Sequence, residues 1–235
     1  RVAQVCRAGD AQAVSLVLHR LSCVMSSPSD EAYQVALSAL ATAYADRALG
    51  ITYGGVAEGD EARFEGRMQA SIDLAAPAGR ELEAAADATW CERNLYGMLL
   101  TYGRGAVFHA TKKIGLILGS SHESEAVASA KAGEQVAYAR EVLRALGVLP
   151  AGPTPILTDN QANMQVARDA TSAARARHFL RRYTVLQQRM QTGEVSVFKI
   201  DDPNMPADFL TKWLPAAKLR DSVAYATNSR HRVSA

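Results

Sequence analysis

Apolar positions along this chain follow two regimes. Up to about residue 55 they recur with helical spacing, first over Ala11 to Met25 and then beyond Ser27-Pro28-Ser29-Asp30. That tetrapeptide predicts a helix start, with Ser27 as cap, Pro28 at the first position and an acid at the third. The helix it opens runs to about Leu49, where Gly50 is a stop. Ile51-Thr52-Tyr53 reads as a short strand, and the glycine- and charge-rich stretch from Val56 to Arg67 as a loop or linker. From Arg80 the texture changes. Glu81 to Ala86 predicts a strand ending at Asp87. Leu95 to Thr101 and Ala106 to Thr111 flank the hairpin signal Tyr102-Gly103-Arg104-Gly105. Ile114 to Leu118 is a further apolar run. Glu123 to Leu146 predicts a long helix closed by Gly147 and Pro150. Pro155 to Thr158 is a strand ending at Asp159. Two helices over 160–168 and 173–191 follow, then a strand from Val195 to Ile200 and a last helical region opened by Pro206. Consecutive strands, a helix, a strand, helices and a strand make an α/β domain around a mixed sheet.

Four carboxylates stand at junctions of these elements: Asp87, Glu125, Asp159 and Asp208. The long helix has a core stripe of Ala132, Val136, Ala139, Leu143 and Leu146. Extended backwards, the stripe passes through Ser129 to Glu125, so Glu125 points inward from the first turn. Glu123 falls roughly 200° around the helix and faces solvent, where it complements the helix dipole. Asp159-Asn160 ends a strand and opens a helix. One of the two is explained as a cap, and the other stands at the carboxyl end of a strand, where sites in α/β sheets gather. Asp208, after Pro206, complements a dipole or joins a site; Asp87 is a turn residue or a ligand. Singly these two are weak, and the order Asp, Glu, Asp, Asp is the stronger signal. Such a set suits hard divalent ions, which prefer carboxylate oxygens. Two such ions activate a water and stabilise a leaving oxygen in phosphodiester hydrolysis.

Composition narrows the alternatives. The 235 residues allow one large domain or two modest ones, and 48% hydrophobic content supplies a core. Lys+Arg 26 against Asp+Glu 24 gives a net charge of +2, so any nucleic-acid surface is local. The candidate for such a surface is the helix from Ala173 to Gln191. There Phe179, Tyr183, Leu186 and Met190 form the apolar stripe, and Arg175, Arg182 and Arg189 share a face with Arg177, His178 and Arg181 nearby. No acid lies between Asp169 and Glu194. Either this is a solvated basic face or it tracks phosphates, with Lys112, Lys113 and Lys212 extending it. Cys6, Cys23 and Cys91 read as free thiols of a reducing, intracellular compartment. No apolar run reaches the roughly 18 residues that span a membrane. The chain begins at Arg1 rather than Met, as an excised or processed segment would. His109, His122, His178 and His231 lack zinc-type spacing with the cysteines, and no phosphate-binding Gly-Lys-Ser/Thr loop occurs. Lys199-Ile200-Asp201-Asp202 faintly suggests a polymerase Asp-Asp pair, but reads as a strand end.

The motif order resembles the C-terminal part of the Pol polyprotein of copia-type LTR retrotransposons, the end of the reverse transcriptase with its RNase H domain. An Asp-Ala-Asp-Trp motif appears as Asp87-Ala88-Thr89-Trp90, and a Ser-Lys-Lys segment as Thr111-Lys112-Lys113. A Ser-Ser/Thr-x-Glu-Ala-Glu run appears as Ser121-His122-Glu123-Ser124-Glu125. Asp159-Asn160-Gln161 is intact, Arg177-His178-Phe179 matches a basic-His-aromatic segment, and Ala207-Asp208-Phe209-Leu210-Thr211-Lys212 matches the ending. Upstream, Arg20-Leu21-Ser22, Met25-Ser26-Ser27-Pro28 and Gly50-Ile51-Thr52-Tyr53-Gly54 are similar to the connecting region. Thr89, Ala126 and Cys91-Glu92-Arg93-Asn94 depart from the pattern, and no histidine lies between His178 and His231.

The resemblance implies an RNase H-like fold, a mixed sheet flanked by helices, preceded by a mainly helical connecting segment. The division it implies is 1–79 for the connection, 80–215 for the RNase H-like domain and 216–235 for a C-terminal helix and tail. It implies that Asp87, Glu125, Asp159 and Asp208 are catalytic and bind two Mg²⁺ or Mn²⁺ ions. Lys112, Lys113, Asn160, Gln161, Arg175, Arg177, His178, Arg182, Arg189 and Lys212 become the expected contacts to an RNA/DNA hybrid, which is recognised through backbone, shape and the 2′-hydroxyl. The implied partners are that hybrid and the polymerase region of the same polyprotein or a larger assembly, in a cytoplasmic particle or the nucleus. A non-catalytic descendant retained for binding, and an integrase- or resolvase-like nuclease of the same fold, are the competing readings.

Overall fold

The computed structural model describes residues 15–45, 50, 51, 53, 82–90, 94–160 and 180–228, the side chains of 180–183 excepted. The elements in chain order are α1 (Ser15–Ser22), α2 (Asp30–Ala45), β1 (Leu82–Thr89), β2 (Leu95–Tyr102), β3 (Gly105–Lys113), α3 (Ser121–Ala145), β4 (Thr154–Thr158), α4 (Leu180–Gln191), β5 (Val195–Lys199) and α5 (Ala216–Thr227). Short 3-10 turns occupy Asp202–Asn204 and Asp208–Leu210.

The sheet order is β3-β2-β1-β4-β5. β1 pairs antiparallel with β2 and β2 with β3, while β4 runs parallel to both β1 and β5. β1, the central strand, is buried along all but its last residue, as a strand covered on both faces must be. On one face Ala84, Ala86, Met98 and Ile156 meet Val127, Ala128, Ala132 and Val136 of α3 and Leu186 of α4. On the other, Ala85, Leu99 and Leu157 meet Met205, Phe209, Leu210, Tyr225 and Ala226 from the C-terminal segment. Each such large side chain contributes about 1.5–3 kcal/mol by leaving water. This mixed sheet flanked by helices is the RNase H-like arrangement expected from the sequence. Among the described residues, no helix is long and apolar enough to cross a membrane.

Several local expectations are corrected. β1 does not end at Asp87. The strand continues to Thr89 because Asp87 pairs opposite Gly97 and Thr89 opposite Leu95. The cap of α2 is Ser29, whose hydroxyl accepts from Ala32 N at 3.2 Å, rather than Ser27. Ile51 and Tyr53 are not strand residues, although the Tyr53 hydroxyl donates to Ala106 O at 2.9 Å and ties that segment to β3. Leu146 is exposed, because α3 has run past the sheet by its last turn. The run 114–118 forms no strand, and Ile117 is fully exposed. Pro206 opens only a 3-10 turn, and the main helix begins at Ala216. The 102–105 hairpin stands as expected, with Gly103 and Arg104 both at positive φ (55° and 68°), the geometry of a two-residue turn between twisted strands. The segments 11–14, 46–49, 54–81 and 161–179 lie outside the described residues, and with them the helix expected over 161–168, the loop at 56–67, and Phe179.

His109 on β3 is largely enclosed, and burial pushes its imidazole below the ordinary histidine value. The unfolded chain therefore binds this proton more readily, so the stability His109 allows is present above the unfolded pKa and lost as pH falls through it. Thermal unfolding at pH 7.5 and pH 5.5 should show the parent losing stability relative to His109→Phe on acidification. A parallel response of the two would refute this.

Candidate metal centre

The register of the sheet brings the first two acids together. Ala85 of β1 lies beside Leu157 of β4 in parallel pairing. Two residues on, Asp87 and Asp159 are neighbours at the carboxyl ends of those strands. Asp87 is fully buried, on the face covered by the C-terminal segment. Thr211 donates its hydroxyl to Asp87 Oδ2. Oδ1 faces Lys212 Nζ at 3.1 Å, a charge contact without hydrogen-bond alignment.

Glu125 approaches from the other face. α3 starts at Ser121 because Ser120 caps it, its hydroxyl accepting from Glu123 N at 3.3 Å. Glu123 reaches back to accept from Gly119 N, a reciprocal capping arrangement that accounts for Glu123 without a site. Glu125 is turned inward and buried, as its stripe predicted, and Ala88 N donates to its Oε1 at 3.3 Å. Asp208 opens the 3-10 turn against β2 and is fully buried. That turn sits close because residue 97 is glycine. A Cβ there would stand 2.6 Å from Leu210 Cβ and 2.9 Å from Thr211 Cγ2. Gly97→Ala should therefore push the turn bearing Asp208, Thr211 and Lys212 off the sheet and cost about 1–3 kcal/mol by overpacking. Urea unfolding measures this, and an unchanged midpoint would contradict it.

Oxygens of Asp87, Glu125 and Asp159 lie within 4.8 Å of one another, as do those of Asp159, Asp202 and Asp208. The four expected acids thus form two sets sharing Asp159. The fifth, Asp202, was read from sequence only as a strand end. The available signal was its position just past β5, parallel to β4, so that acids following the two strands emerge at the same edge. Lys218 of α5 was also missed. Its Nζ pairs with Asp208 Oδ2 and donates to Asp202 O at 2.9 Å.

Burial, with Asp87 and Asp159 adding negative charge, pushes the Glu125 carboxyl up to about 9. Asp87 is pushed up to about 6, by burial first and by Asp208 and Asp159, against the opposing pull of Lys212 and Thr211. Burial also raises Asp159. Burial alone would lower Lys212, but Asp87 and Asp208 outweigh it and raise its ammonium above the ordinary lysine value. Crowded carboxylates held above their normal range are what a cation relieves. Oxygen-only ligands in two adjoining sets fit a hard divalent ion.

The expected nucleic-acid residues are not all gathered at one place. Lys112 and Lys113 are exposed at the end of β3, with Lys113 opposite Leu95, which pairs in turn with Thr89. Asn160 follows Asp159, and its Nδ2 lies 3.1 Å from His122 Nδ1. Arg189 Nη1 pairs with Glu194 Oε2 at 2.7 Å, so this arginine is compensated by an acid. Lys212 stands among the carboxylates. Gln161, Arg175, Arg177, His178 and the Arg182 side chain lie outside the described residues. An open cavity of about 460 Å³, lined by Trp90, Asn94, Lys113, Ile114, Leu116, Ile117 and Leu118, includes none of the acids.

The domain is thus of a recognisable class, an RNase H-like sheet with clustered carboxylates at its strand ends. No protein-family model matches the chain. Over 122 residues, 52% of the chain, it is 27% identical to the Retrovirus-related Pol polyprotein from transposon TNT 1-94 of Nicotiana tabacum. That match covers 9% of the polyprotein's length. The crystal structure of RNase H1 from the halophilic archaeon Halobacterium salinarum overlaps 55% of this chain and 93% of its own, with a TM-score of 0.38 and 21% identity.

Proposed function

We propose that this chain is a metal-dependent ribonuclease H that cleaves the RNA strand of an RNA/DNA hybrid, within a copia-type retrotransposon reverse transcriptase. The observation that carries this reading is that Asp87, Glu125, Asp159 and Asp208, from four separate segments, fall into two adjoining carboxylate sets joined through Asp159. The partial likeness to a Pol polyprotein is consistent with it. On this reading residues 1–79 are the connection, 80–215 the nuclease and 216–235 its C-terminal helix and tail, the helix contributing Lys218.

Asp87, Glu125 and Asp159 would hold one Mg²⁺ or Mn²⁺, and Asp159 with Asp208 a second, Asp202 lying beside them. When bound, the pair of ions supplies water activation and stabilisation of the leaving 3′-oxygen. The chain's own part is positional. Thr211 orients Asp87, the Ala88 amide orients Glu125, and the Gly97 contact seats the turn of Asp208. The hybrid would lie along Lys112, Lys113, Asn160, Gln161 and the arginine face of α4 and the residues before it. Arg182→Glu should weaken hybrid binding at least about tenfold and flatten its salt dependence, since each phosphate contact contributes roughly one unit to that slope. Filter binding from 50 to 300 mM salt, on the order of the range over which such slopes are read, checks it. An unchanged slope would return the helix to an ordinary solvated face.

The deciding experiment is Mg²⁺-dependent cleavage of a labelled RNA strand in a hybrid by the parent and by Asp159→Asn. Cleavage by the parent alone supports enzyme and site together, and cleavage retained in the variant removes the site assignment. A second reading, a non-catalytic descendant that binds nucleic acid or protein, is favoured by Lys212 standing where a cation would. No cleavage by well-folded parent, even with the polymerase region added, would establish it.

A further inference from the structure

Lys212 is close to every aspartate of the cluster. Its Nζ lies 2.9 Å from Asp208 Oδ1, 3.1 Å from Asp87 Oδ1, and 3.8 Å from both Asp159 Oδ2 and Asp202 Oδ1. Both carboxylate sets therefore converge on one ammonium group. Its backbone is fixed, with Lys212 N donating to Asp208 O at 2.8 Å, while its side chain remains one-third exposed. A flexible four-carbon stem on a fixed backbone can withdraw its head group without moving the turn. Lys218 separately retains the outer oxygen of Asp208 and the Asp202 carbonyl.

We propose that Lys212 is the resident counter-cation of this site: it holds the aspartates together when no divalent ion is bound and surrenders the place when one is. The inference builds on the metal-centre reading above and assigns Lys212 a positioning role distinct from simple phosphate contact. Two steps of physical reasoning lead to it. Buried carboxylates this close require a compensating cation to remain ionised together. A magnesium ion sits about 2.0–2.1 Å from its ligand oxygens, so it would occupy the space between these acids and Lys212 Nζ. Two cations cannot share that volume without strong repulsion. Ion binding must then include the work of expelling Lys212, and the observed affinity is reduced by that amount.

The test is calorimetric titration of Mg²⁺ and Mn²⁺ into the full chain and into Lys212→Met, with thermal unfolding of each in EDTA. Lys212→Met should bind the ion at least about tenfold more tightly, and its metal-free form should unfold at lower temperature because four aspartates lose their shared partner. Lys212→Arg should restore metal-free stability and the weaker affinity. Equal affinity in parent and Lys212→Met, or no binding by either, overturns the proposal. Binding by Lys212→Met alone supports it in its strongest form, with Lys212 holding the site permanently. Should Lys212→Met not fold, the parent labelled with ¹³C at lysine Cε decides. The Lys212 signal, assigned by its loss in Lys212→Arg, should shift with saturating Mg²⁺, and an invariant signal refutes displacement. Hybrid cleavage separates the two readings. A cleaving parent with unchanged metal affinity in Lys212→Met keeps the nuclease and discards the counter-cation. Tighter binding in that variant with no cleavage by the parent does the reverse.

Discussion

Asp87→Asn should lower hybrid cleavage by at least about a thousandfold while leaving the protein folded. The factor corresponds to about 4 kcal/mol of lost transition-state stabilisation at roughly 1.4 kcal/mol per tenfold. Asparagine keeps the shape of aspartate and one acceptor oxygen, so the Thr211 hydroxyl retains a partner. What disappears is the negative charge and one anionic oxygen from the set formed with Glu125 and Asp159. The fold does not depend on that charge. The surroundings of Asp87 already raise its carboxyl to about 6, burial being the largest cause. A group whose folded pKa exceeds its unfolded one carries an ionisation penalty above that pKa, and the neutral amide avoids it. The melting temperature in EDTA should therefore be unchanged or higher. Cleavage at the parent's rate would remove Asp87 from the site. Lost cleavage with a collapsed melting temperature would mark it as structural.

Local rules reach Glu125 and Asp159, whereas Asp87 and Asp208 are weak singly and stand out only by their order in the chain. Glu125 was placed inward by the spacing of Ala132 and Val136, which the packing of α3 on the sheet reproduces. Asp159 was placed by its position past a short apolar strand, and β4 does end at Thr158. Asp208 was placed by its motif. Periodicity reports which face a residue occupies, but not how near two faces come. Asp202 and Lys218 join the site only because the segment after β5 folds back beneath α5, a tertiary fact with no period. Lys212 illustrates the same boundary. Its charge and motif suggested phosphate contact, whereas its place among four aspartates follows from Gly97 letting the preceding turn press onto β2. Strand ends were likewise misjudged at Asp87, since an acid reads as a turn signal unless a cross-strand partner is known. Arg140 is a further case. It lies toward the C-terminal end of α3, yet it is buried and donates to Gly152 O and Thr154 Oγ1 at 3.0 Å each, fastening the helix to the start of β4.

Replacing Mg²⁺ by Ca²⁺ should abolish hybrid cleavage, by at least about two orders of magnitude, while leaving ion binding intact. The carboxylate sets supply charge that any hard divalent ion will accept. Geometry separates the two metals, since Mg²⁺ demands near-octahedral ligands at about 2.0–2.1 Å, whereas Ca²⁺ accepts six to eight at roughly 2.3–2.6 Å. Three carboxylates per set, with Asp159 common to both, leave positions for water and phosphate. The proposed two-ion reaction needs attacking and leaving oxygens held in line between closely spaced ions, and a 1 Å misplacement costs on the order of a hundredfold. The chain's own supports are rigid: β1 and β4 fix Asp87 and Asp159 by register, and the capped first turn of α3 fixes Glu125. The site therefore cannot follow a larger ion outward without losing one of its pairings. Cleavage rates and calorimetric affinities measured side by side in the two metals decide the matter. Comparable cleavage in Ca²⁺ would show that simple charge neutralisation suffices here, and the two-ion mechanism would have to be abandoned even if the nuclease assignment survived.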